Sequence, residues 1–260
     1  MKILCVGDVA GQPGVDFLCS ELPRLKHENA VDFVIVNAEN ADASGTGLSR
    51  AVSEILLQYT DIITTGNHCF RRADKTLFAD CHTVLHPANF PFSDPGAGCV
   101  LLDTGRFGTL RVINLVGTAF MEPVDNPFQR ADELLKADTA RFTIVDFHAE
   151  STAEKKALAY YLDGRVSAVF GTHTHVQTAD EQIMPGGTGY ITDVGMTGPV
   201  HSVLGVDPAL AVEKQRTHRP VRFRVADGPV MLNAVLFTLD DTSGLCTGVK
   251  RIDWRGSTPP

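Results

Sequence analysis

The chain has 260 residues, and its 43% hydrophobic and 21% charged residues are typical of a globular protein that can bury a large core. A net charge of −8 excludes a broad non-specific nucleic-acid surface, so we expect no stable nucleic-acid binding. No apolar run approaches the roughly 20 residues of a membrane helix. We expect one domain over residues 1–260, cytoplasmic and without membrane contact. The N-terminus turns polar too soon for a signal peptide, and the six cysteines form no CxxC pair.

Apolar runs of strand length alternate with amphipathic stretches of helical period, which is the pattern of an α/β fold. The predicted strands are residues 2–9, 31–36, 61–65, 99–102, 110–115, 142–147, 166–170, 221–225, 230–239 and 245–252. The predicted helices are residues 13–26 and those that begin near Ser49, Asn126, Ser151 and Asp207. Asn126 and Asp207 each precede a proline, and Ser151 begins a capping box, which are patterns of helix starts. Three prolines predict a loop over residues 86–98.

Polar side chains lie at or just after the ends of five predicted strands. They are Asp8; Asn37, Glu39 and Asn40; Asn67 and His68; Asp146, His148 and Glu150; and His173 and His175. In open α/β sheets, ligands bind outside the carboxyl ends of the strands. A single histidine there is more often an ordinary hydrogen-bonded loop residue. A whole set at one sheet edge needs shared partners once it is buried, and a metal ion satisfies several at once.

Seven of these side chains are candidate metal ligands, which are too many for one ion and suit two ions bridged by a carboxylate. They are Asp8, Glu39, Asn40, Asn67, His148, His173 and His175. Mixed oxygen and nitrogen donors favour Mn²⁺, Fe or Zn²⁺ in a catalytic site over a closed structural zinc. In extended backbone, His173 and His175 would share a face and reach one metal cluster. Asn67 and His68 would point apart, so that one binds metal and the other faces the substrate.

The same segments resemble the signature of the calcineurin-like metallophosphoesterases. The matching blocks are Gly-Asp at 7–8, Gly-Asn-His at 66–68 and Gly-Thr-His-Thr-His at 171–175, in the order of that superfamily. More narrowly, the chain resembles the YmdB-like bacterial phosphodiesterases. That likeness rests on residues 37–41, 146–150, 164–169, 171–180 and 191–199, and it extends from Met1 to about Gly205.

The resemblance implies an α/β/β/α sandwich of the metallophosphoesterase type, with the metal site at the C-terminal ends of the strands. It also implies a role for each matched residue: Asp8, Asn40 and His175 bind the first metal, Asn67, His148 and His173 bind the second, Glu39 bridges them, and His68 is the general acid. The implied cofactors are two divalent or mixed-valence ions, with Fe or Mn favoured and Zn possible. Homo-oligomers are common in the family.

The implied activity is hydrolysis of cyclic nucleotides, 2′,3′-cyclic ones and also 3′,5′-cyclic ones, as small-molecule phosphodiester substrates. In the mechanism that we hypothesise, a hydroxide that bridges the metals attacks phosphorus, and His68 protonates the leaving ribose oxygen. The motifs leave two alternatives open. One is a phosphomonoesterase or protein phosphatase on the same bimetal site. The other is a regulatory metal-binding protein that acts through partners. A zinc amidohydrolase would need a different order of motifs.

Two positions depart from the wider superfamily. Its first block usually reads Asp-x-His, but Ala10 stands where the histidine would be, so Asn40 would fill that place. The residue after Gly-Asn-His is usually acidic, but here it is Cys69, which is either a redox-sensitive neighbour or an ordinary loop thiol.

A few further residues are weak candidates for the site. Gly45 and Gly47 would let the backbone approach a substrate, although a plain turn explains them equally well. Asn89 would line the substrate cleft. Glu150 and Asp180 would either orient metal-bound histidines or serve as solvated or capping residues.

Overall fold

The computed structural model describes residues 1–73, 76–91 and 98–255. The strands are β1 (Lys2–Val6), β2 (Asp8–Val9), β3 (Phe33–Asn37), β4 (Ile62–Thr64), β5 (Cys99–Asp103), β6 (Thr109–Val116), β7 (Phe142–His148), β8 (Ala168–Thr172), β9 (Gln182–Ile183), β10 (Gly189–Ile191), β11 (Met196–Pro199), β12 (Val230–Leu239) and β13 (Cys246–Arg255). The helices are α1 (Gly11–Asn29), α2 (Arg50–Leu56), α3 (Leu77–Asp80), α4 (Pro127–Ala137), α5 (Thr152–Leu162) and α6 (Pro208–Thr217). A 3₁₀ turn covers Gly105–Phe107.

The strands form two sheets. The first has the order β2-β11-β12-β1-β3-β4, with β13 paired to β12. The second has the order β5-β6-β7-β8-β10-β9. Strands β1, β3 and β4 run parallel to one another, and so do β6, β7, β8 and β10. The carboxyl ends of the parallel strands in each sheet therefore meet at one edge.

Alternation along the strands sends side chains to both faces of each sheet. In β1, Leu4 and Val6 pack with helices α1 and α2, whereas Ile3 and Cys5 pack against the second sheet. In the second sheet, Val145 of β7 packs with helix α5. Helices thus cover the two outer faces and the sheets pack on each other, so the predicted α/β/β/α sandwich is confirmed.

Most predicted helix starts are confirmed in detail. The side chain of Asn126 accepts hydrogen bonds from the backbone N–H of Phe128 and Gln129, and Asp207 accepts one from Ala209. Ser151 caps helix α5 through the backbone N–H of Glu154. Among the described residues, no helix is long and apolar enough to cross a membrane.

The strand prediction is wrong at residues 221–225. This segment forms no strand, and its pairing consists of one bridge from Val225 to Val206. Arginines and apolar residues alternate here with the period of a strand. However, Pro220 just before the segment has no backbone N–H to donate, and among the described residues no full strand lies alongside. The predicted first strand is divided at Gly7, where Asp8 turns to pair with β11. Residues 86–91 are loop as predicted, and 92–97 lie outside the described residues.

Candidate metal centre

All eight residues predicted for the centre lie at one edge of the sandwich, and both sheets contribute to it. Asp8 begins β2, one residue after β1 ends, Glu39 and Asn40 follow β3, and Asn67 and His68 follow β4, all from the first sheet. His148 ends β7 and His173 and His175 follow β8, in the second sheet. The carboxyl ends of the parallel strands therefore bring oxygen donors and imidazoles from opposite sides of the core into one place.

Glu39 lies in the middle of the centre. Its side chain is 1% exposed, and its Oε1 is 3.1 Å from His148 Nε2 and 3.3 Å from His68 Nδ1. Its Oε2 accepts a hydrogen bond from the backbone N–H of His68 at 3.1 Å. Burial alone would raise the pKa of Glu39, but His148 and His68 outweigh it and hold that pKa well below its usual range. Glu39 is therefore a charged carboxylate between two groups of donors, as a bridging ligand must be.

The first group of donors is Glu39, His148 and His173, whose ligand atoms all lie within 4.8 Å of one another. His148 Nε2 is 3.0 Å from His173 Nδ1. Burial lowers the pKa of His148, but the charge and hydrogen bond of Glu39 raise it overall to about 9. Burial and the neighbouring charge on His148 lower the pKa of His173 to about 3. Two imidazoles and a carboxylate this close can share a proton or a metal ion.

Asn67 follows Gly66 at the same sheet edge, and its Oδ1 is buried without a hydrogen-bond partner among the described residues. An unpaired buried oxygen costs about 1–3 kcal/mol. A metal ion would remove that cost.

The second group of donors is Asp8, Asn40 and His175. The amide Nδ2 of Asn40 lies 3.0 Å from His175 Nε2, which in turn lies 3.8 Å from Asp8 Oδ1. Asp8 is completely buried, and burial raises its pKa. Its Oδ2 accepts a hydrogen bond from the backbone N–H of His173, but its Oδ1 has no hydrogen-bond partner among the described residues. This orphaned oxygen beside an imidazole and a carboxamide fits a second cation.

The side chain of His68 is 23% exposed, and Nδ1 is the ring nitrogen that faces the centre. Nδ1 lies 3.3 Å from Glu39 Oε1 and 3.3 Å from Asn40 Oδ1. Within the described part of the chain, Nε2 makes no hydrogen bond, so it is available to a substrate. The superfamily's acidic residue is absent at position 69, and Glu39 and Asn40 orient the His68 ring here. Cys69 packs in the core, where burial raises the pKa of its thiol, which favours the interpretation as an ordinary thiol.

A buried chain of hydrogen bonds fixes the protonation of His148. Thr172 donates its hydroxyl proton to Asp146 Oδ1 at 2.8 Å, and its Oγ1 lies 2.9 Å from His148 Nδ1. His148 must then donate from Nδ1, so the neutral form of the ring has its lone pair on Nε2, where a metal would bind. Asp146 also accepts from Thr64 and Asn37, yet burial raises its pKa to about 6. The sequence placed Asn37 and Asp146 at strand ends but assigned them no role.

A buried ion pair holds the loop that carries the last two histidines. Lys155 Nζ of helix α5 lies 2.6 Å from Asp193 Oδ2, and both side chains are at most 2% exposed. The same oxygen accepts from the backbone N–H and hydroxyl of Thr174. Both residues were missed, because Lys155 lies in a helix of ordinary polarity. Asp193 lies in the segment 191–199 that carried the resemblance, which is the signal that could have identified it.

The backbone around His173 and His175 is not extended. Their φ angles are 97° and 62°, in the left-handed region that is strained for these residues. The expectation that an extended backbone puts both side chains on one face is therefore wrong. The turned backbone sends His173 to His148 and His175 to Asn40, one to each group of donors.

Gly66 is required by close approach. A Cβ at this position would collide with Glu39 Oε2 and with His148 Nε2. The glycine of the Gly-Asn-His block thus allows the chain after β4 to pass directly against two candidate ligands.

Asn89 does not line a substrate cleft. It is fully buried, and its Nδ2 donates to the carbonyls of Val116 and Asp125 while its Oδ1 accepts from the backbone N–H of Val116. All of its polar atoms are thus used to hold the end of β6. The prediction failed because nothing in the sequence shows that these distant backbone groups converge on Asn89.

The other weak candidates fall into two kinds. Glu150 Oε2 lies 3.1 Å from His173 Nε2, so it orients a candidate ligand. Asp180 instead binds Thr178 and Thr192, with no contact to a histidine of the centre. Gly45 and Gly47 have φ angles of 74° and 83° in the turn closed by the bonds of Asp42, so the turn interpretation holds for them.

Comparison with known proteins agrees with this geometry. The chain is 45% identical over 256 residues to the 2′,3′-cyclic-nucleotide 2′-phosphodiesterase of Bacillus subtilis (strain 168), which covers 97% of this chain and 96% of that protein. A crystal structure of a phosphatase from Mycoplasma pneumoniae superposes with a TM-score of 0.93 at 35% identity, covering 100% of this chain and 95% of that one.

A hypothetical protein from Thermus thermophilus superposes over the full length of both chains, with a TM-score of 0.91 and 37% identity. The model of the YmdB-like protein family matches residues 4–252, nearly the whole chain. The chain therefore belongs to the YmdB-like family, as its motifs predicted.

Proposed function

We propose that the chain is a metal-dependent phosphodiesterase that hydrolyses 2′,3′-cyclic nucleotides, and also 3′,5′-cyclic ones, at the candidate metal centre. One observation carries the proposal. Carboxylate, carboxamide and imidazole donors from two sheets converge at one edge, two of their buried oxygens lack hydrogen bonds among the described residues, and a free imidazole nitrogen lies beside them. The 45% identical relative from Bacillus subtilis carries the name of a 2′,3′-cyclic-nucleotide phosphodiesterase, which supports the substrate class.

The donors fit two ions. Asp8, Asn40 and His175 would hold one, Asn67, His148 and His173 would hold the other, and Glu39 would bridge them. Fe or Mn is favoured by the oxygen and nitrogen donors, and Zn suits them too. When bound, the ions would neutralise the phosphate oxygens and lower the pKa of an attacking water.

His68 would supply the proton that hydrolysis requires. Water adds to phosphorus, the bond from phosphorus to one ribose oxygen breaks, and that oxygen takes a proton. In its charged form His68 donates from Nδ1 to Glu39, 3.3 Å away, and carries its second proton on the exposed Nε2. Because Glu39 and Asn40 both contact Nδ1, Nε2 is the nitrogen left to give a proton to the substrate.

A second candidate function is hydrolysis of phosphomonoesters, including phosphoproteins, at the same centre. The observation that favours it is the similarity to the Mycoplasma pneumoniae phosphatase, since metal ligands alone do not discriminate one phosphate ester from another.

A substrate panel tests both candidates. The metal-stripped chain would receive Mn²⁺, Fe²⁺ or Zn²⁺ in turn and be offered 2′,3′-cyclic AMP, 3′,5′-cyclic AMP, AMP, a phosphopeptide and bis-p-nitrophenyl phosphate. We expect the highest kcat/KM on 2′,3′-cyclic AMP. Preference for AMP or the phosphopeptide would favour the phosphomonoesterase. Failure on every substrate, the generic diester included, would favour a regulatory protein that acts through partners.

We further propose that the chain acts in the cytoplasm, which the cysteine usage supports, and that it forms a homo-oligomer, as the family resemblance implies. Light scattering on the purified protein would give its mass in solution. A mass of one chain at working concentration would contradict the oligomer.

A further inference from the structure

Beside the candidate metal centre lies a basic cavity of about 830 Å³, which we term the arginine cleft. Its walls are the loop of residues 43–46 together with Arg71, Arg72, Arg222, Phe223 and Arg224. This volume suits a ligand of nucleotide size. Nothing in the proposed reaction uses these residues.

The arginine cleft is lined by four arginines, although the chain as a whole has a net charge of −8. Arg224 is paired with Asp207 at 2.7 Å, and Arg72 lies 3.9 Å from Asp42. Arg71 and Arg222 are exposed and have no carboxylate partner in residues 1–73, 76–91 and 98–255. Two guanidinium groups without counter-ions in the described part of the chain leave the cleft with local positive charge there. Guanidinium forks match phosphate oxygens in a bidentate way.

Phe223 adds an apolar wall to this basic cleft. Its side chain is 46% exposed between Arg222 and Arg224. An exposed aromatic ring beside arginines is the arrangement on which nucleobases stack, with the phosphates held by the cations. The chemistry of the cleft thus matches a nucleotide with a phosphate better than it matches an inorganic ion alone.

The walls of the arginine cleft continue directly from the candidate centre. The backbone N–H of Arg71 donates to the carbonyl of His68 at 2.9 Å, which closes a turn and places their Cα atoms within about 7 Å. The loop 43–46 begins three residues after Asn40. On the third side, the carbonyl of Leu204 accepts a hydrogen bond from His175 Nδ1. The carbonyl of the next residue, Gly205, accepts one from the backbone N–H of Ala226, which follows a residue of the cleft wall. A nucleotide with one phosphate at the centre can therefore extend into the cleft.

We propose that the arginine cleft binds a second phosphate of the substrate, on the 5′ side of the nucleotide whose cyclic phosphate is hydrolysed. The proposal rests on the proposed function and makes it narrower. Its substrate class is a 2′,3′-cyclic nucleotide that bears a 5′-phosphate group. That group is either a terminal phosphate or the first diester of a short oligoribonucleotide. The small size of the basic region agrees with a chain end as the ligand and not with a long duplex.

Kinetics on three substrates tests the proposal: 2′,3′-cyclic AMP, its 5′-phosphorylated form, and a diadenylate that ends in a 2′,3′-cyclic phosphate. The wild type should show a higher kcat/KM on the two substrates with a second phosphate. The double variant Arg71→Gln/Arg222→Gln should lower kcat/KM on these two substrates about 10- to 100-fold, as expected for the loss of charge-assisted hydrogen bonds. Its kcat/KM on 2′,3′-cyclic AMP should change much less. A gain for the diadenylate alone would identify the oligonucleotide end as the source of the phosphate.

Arg106→Gln is the matched control. Arg106 is 76% exposed and lies in the 3₁₀ turn before β6, at the sheet edge opposite the centre, so all three substrates should keep their wild-type values. Equal kcat/KM for the three substrates in the wild type, or equal losses on all three in the double variant, would overturn the arginine cleft as a phosphate site. No turnover of any of them by the wild type would instead overturn the proposed function, and the cleft proposal with it.

Discussion

At the scale of single residues, the two nitrogens of His68 have different surroundings. Nδ1 is held by Glu39 and Asn40, and Nε2 makes no hydrogen bond to the described residues. We predict that His68→Ala keeps its metal and loses turnover by about 10²- to 10⁴-fold, because the ring gives a proton and is not a ligand. The measurement is kcat on 2′,3′-cyclic AMP together with elemental analysis of the same sample.

The control for this variant is His82→Ala, a histidine that is exposed and outside the centre. It should match the wild type in metal content and kcat. Full activity of metal-replete His68→Ala would exclude the general-acid role, and loss of metal would show that His68 is a ligand.

His148 gives the centre a dependence on pH. With its pKa raised to about 9 by Glu39 against the effect of burial, this imidazole is charged in the metal-free protein at neutral pH. A metal needs the neutral ring, so binding must displace a proton, and the affinity should rise as the pH rises toward 9. The charged ring stabilises the metal-free fold below its unfolded pKa of about 6.5, and that contribution is lost as the pH rises through 9.

Tighter metal binding and a less stable metal-free fold at high pH both widen the difference in Tm between metal-bound and metal-free protein. We expect the rise in Tm that Mn²⁺ produces to be greater at pH 8.5 than at pH 6.5, measured by calorimetry on metal-stripped protein. A rise that is equal or smaller at the higher pH would contradict the charge assigned to His148.

Residue types and their positions after strands were enough to predict which side chains meet at the centre. The orientation of His68 by Glu39 and Asn40 was not predictable, because it depends on contacts across 28 and 29 positions of the chain. The positive φ angles of His173 and His175 could not be predicted from the sequence for a different reason. Left-handed φ angles at histidine are set by tertiary contacts, not by local preference.

At the scale of elements, helix α5 supports the metal centre through Lys155. Lys155→Met would leave the carboxylate of Asp193 buried without its cation, which typically costs about 3–5 kcal/mol. Lys156→Met is the matched control, because the next residue is half-exposed and lies 3.6 Å from Asp180. An exposed pair of this kind contributes about 0–1 kcal/mol.

The two lysine variants should separate in urea unfolding. We expect a large fall in the free energy of unfolding for Lys155→Met and a small one for Lys156→Met. Similar values for both would mean that the buried pair does not hold the loop of His173 and His175.

The long elements were predictable, whereas several of the short ones were not. Long apolar strands and capped helices have clear periods and start signals, so β6 and β7 were predicted near their true bounds and α4 at its true start. Strands β9, β10 and β11 have two to four residues, and β10 and β11 also include glycine or proline, so no periodicity develops. The error at residues 221–225 has the opposite cause, since a clear strand period there lacks a full neighbouring strand.

At the scale of the whole molecule, the centre joins the two halves of the sandwich. Asp8, Glu39, Asn40 and Asn67 follow strands of the first sheet, whereas His148, His173 and His175 belong to the second. An ion at either group of donors would therefore bind residues of both sheets at once. Ligand binding to the folded state alone adds about 2.7 kcal/mol of stability at one hundred times Kd.

Metal titration of the stripped chain tests the central claim most directly, with bound metal and turnover of 2′,3′-cyclic AMP measured in the same samples. We predict no turnover without metal and a plateau of activity at two ions per chain. We also predict that Asp8→Ala and Glu39→Ala lose metal and activity together. Full turnover before any metal is bound, or a plateau at one ion per chain, would contradict a two-metal centre at these strand ends.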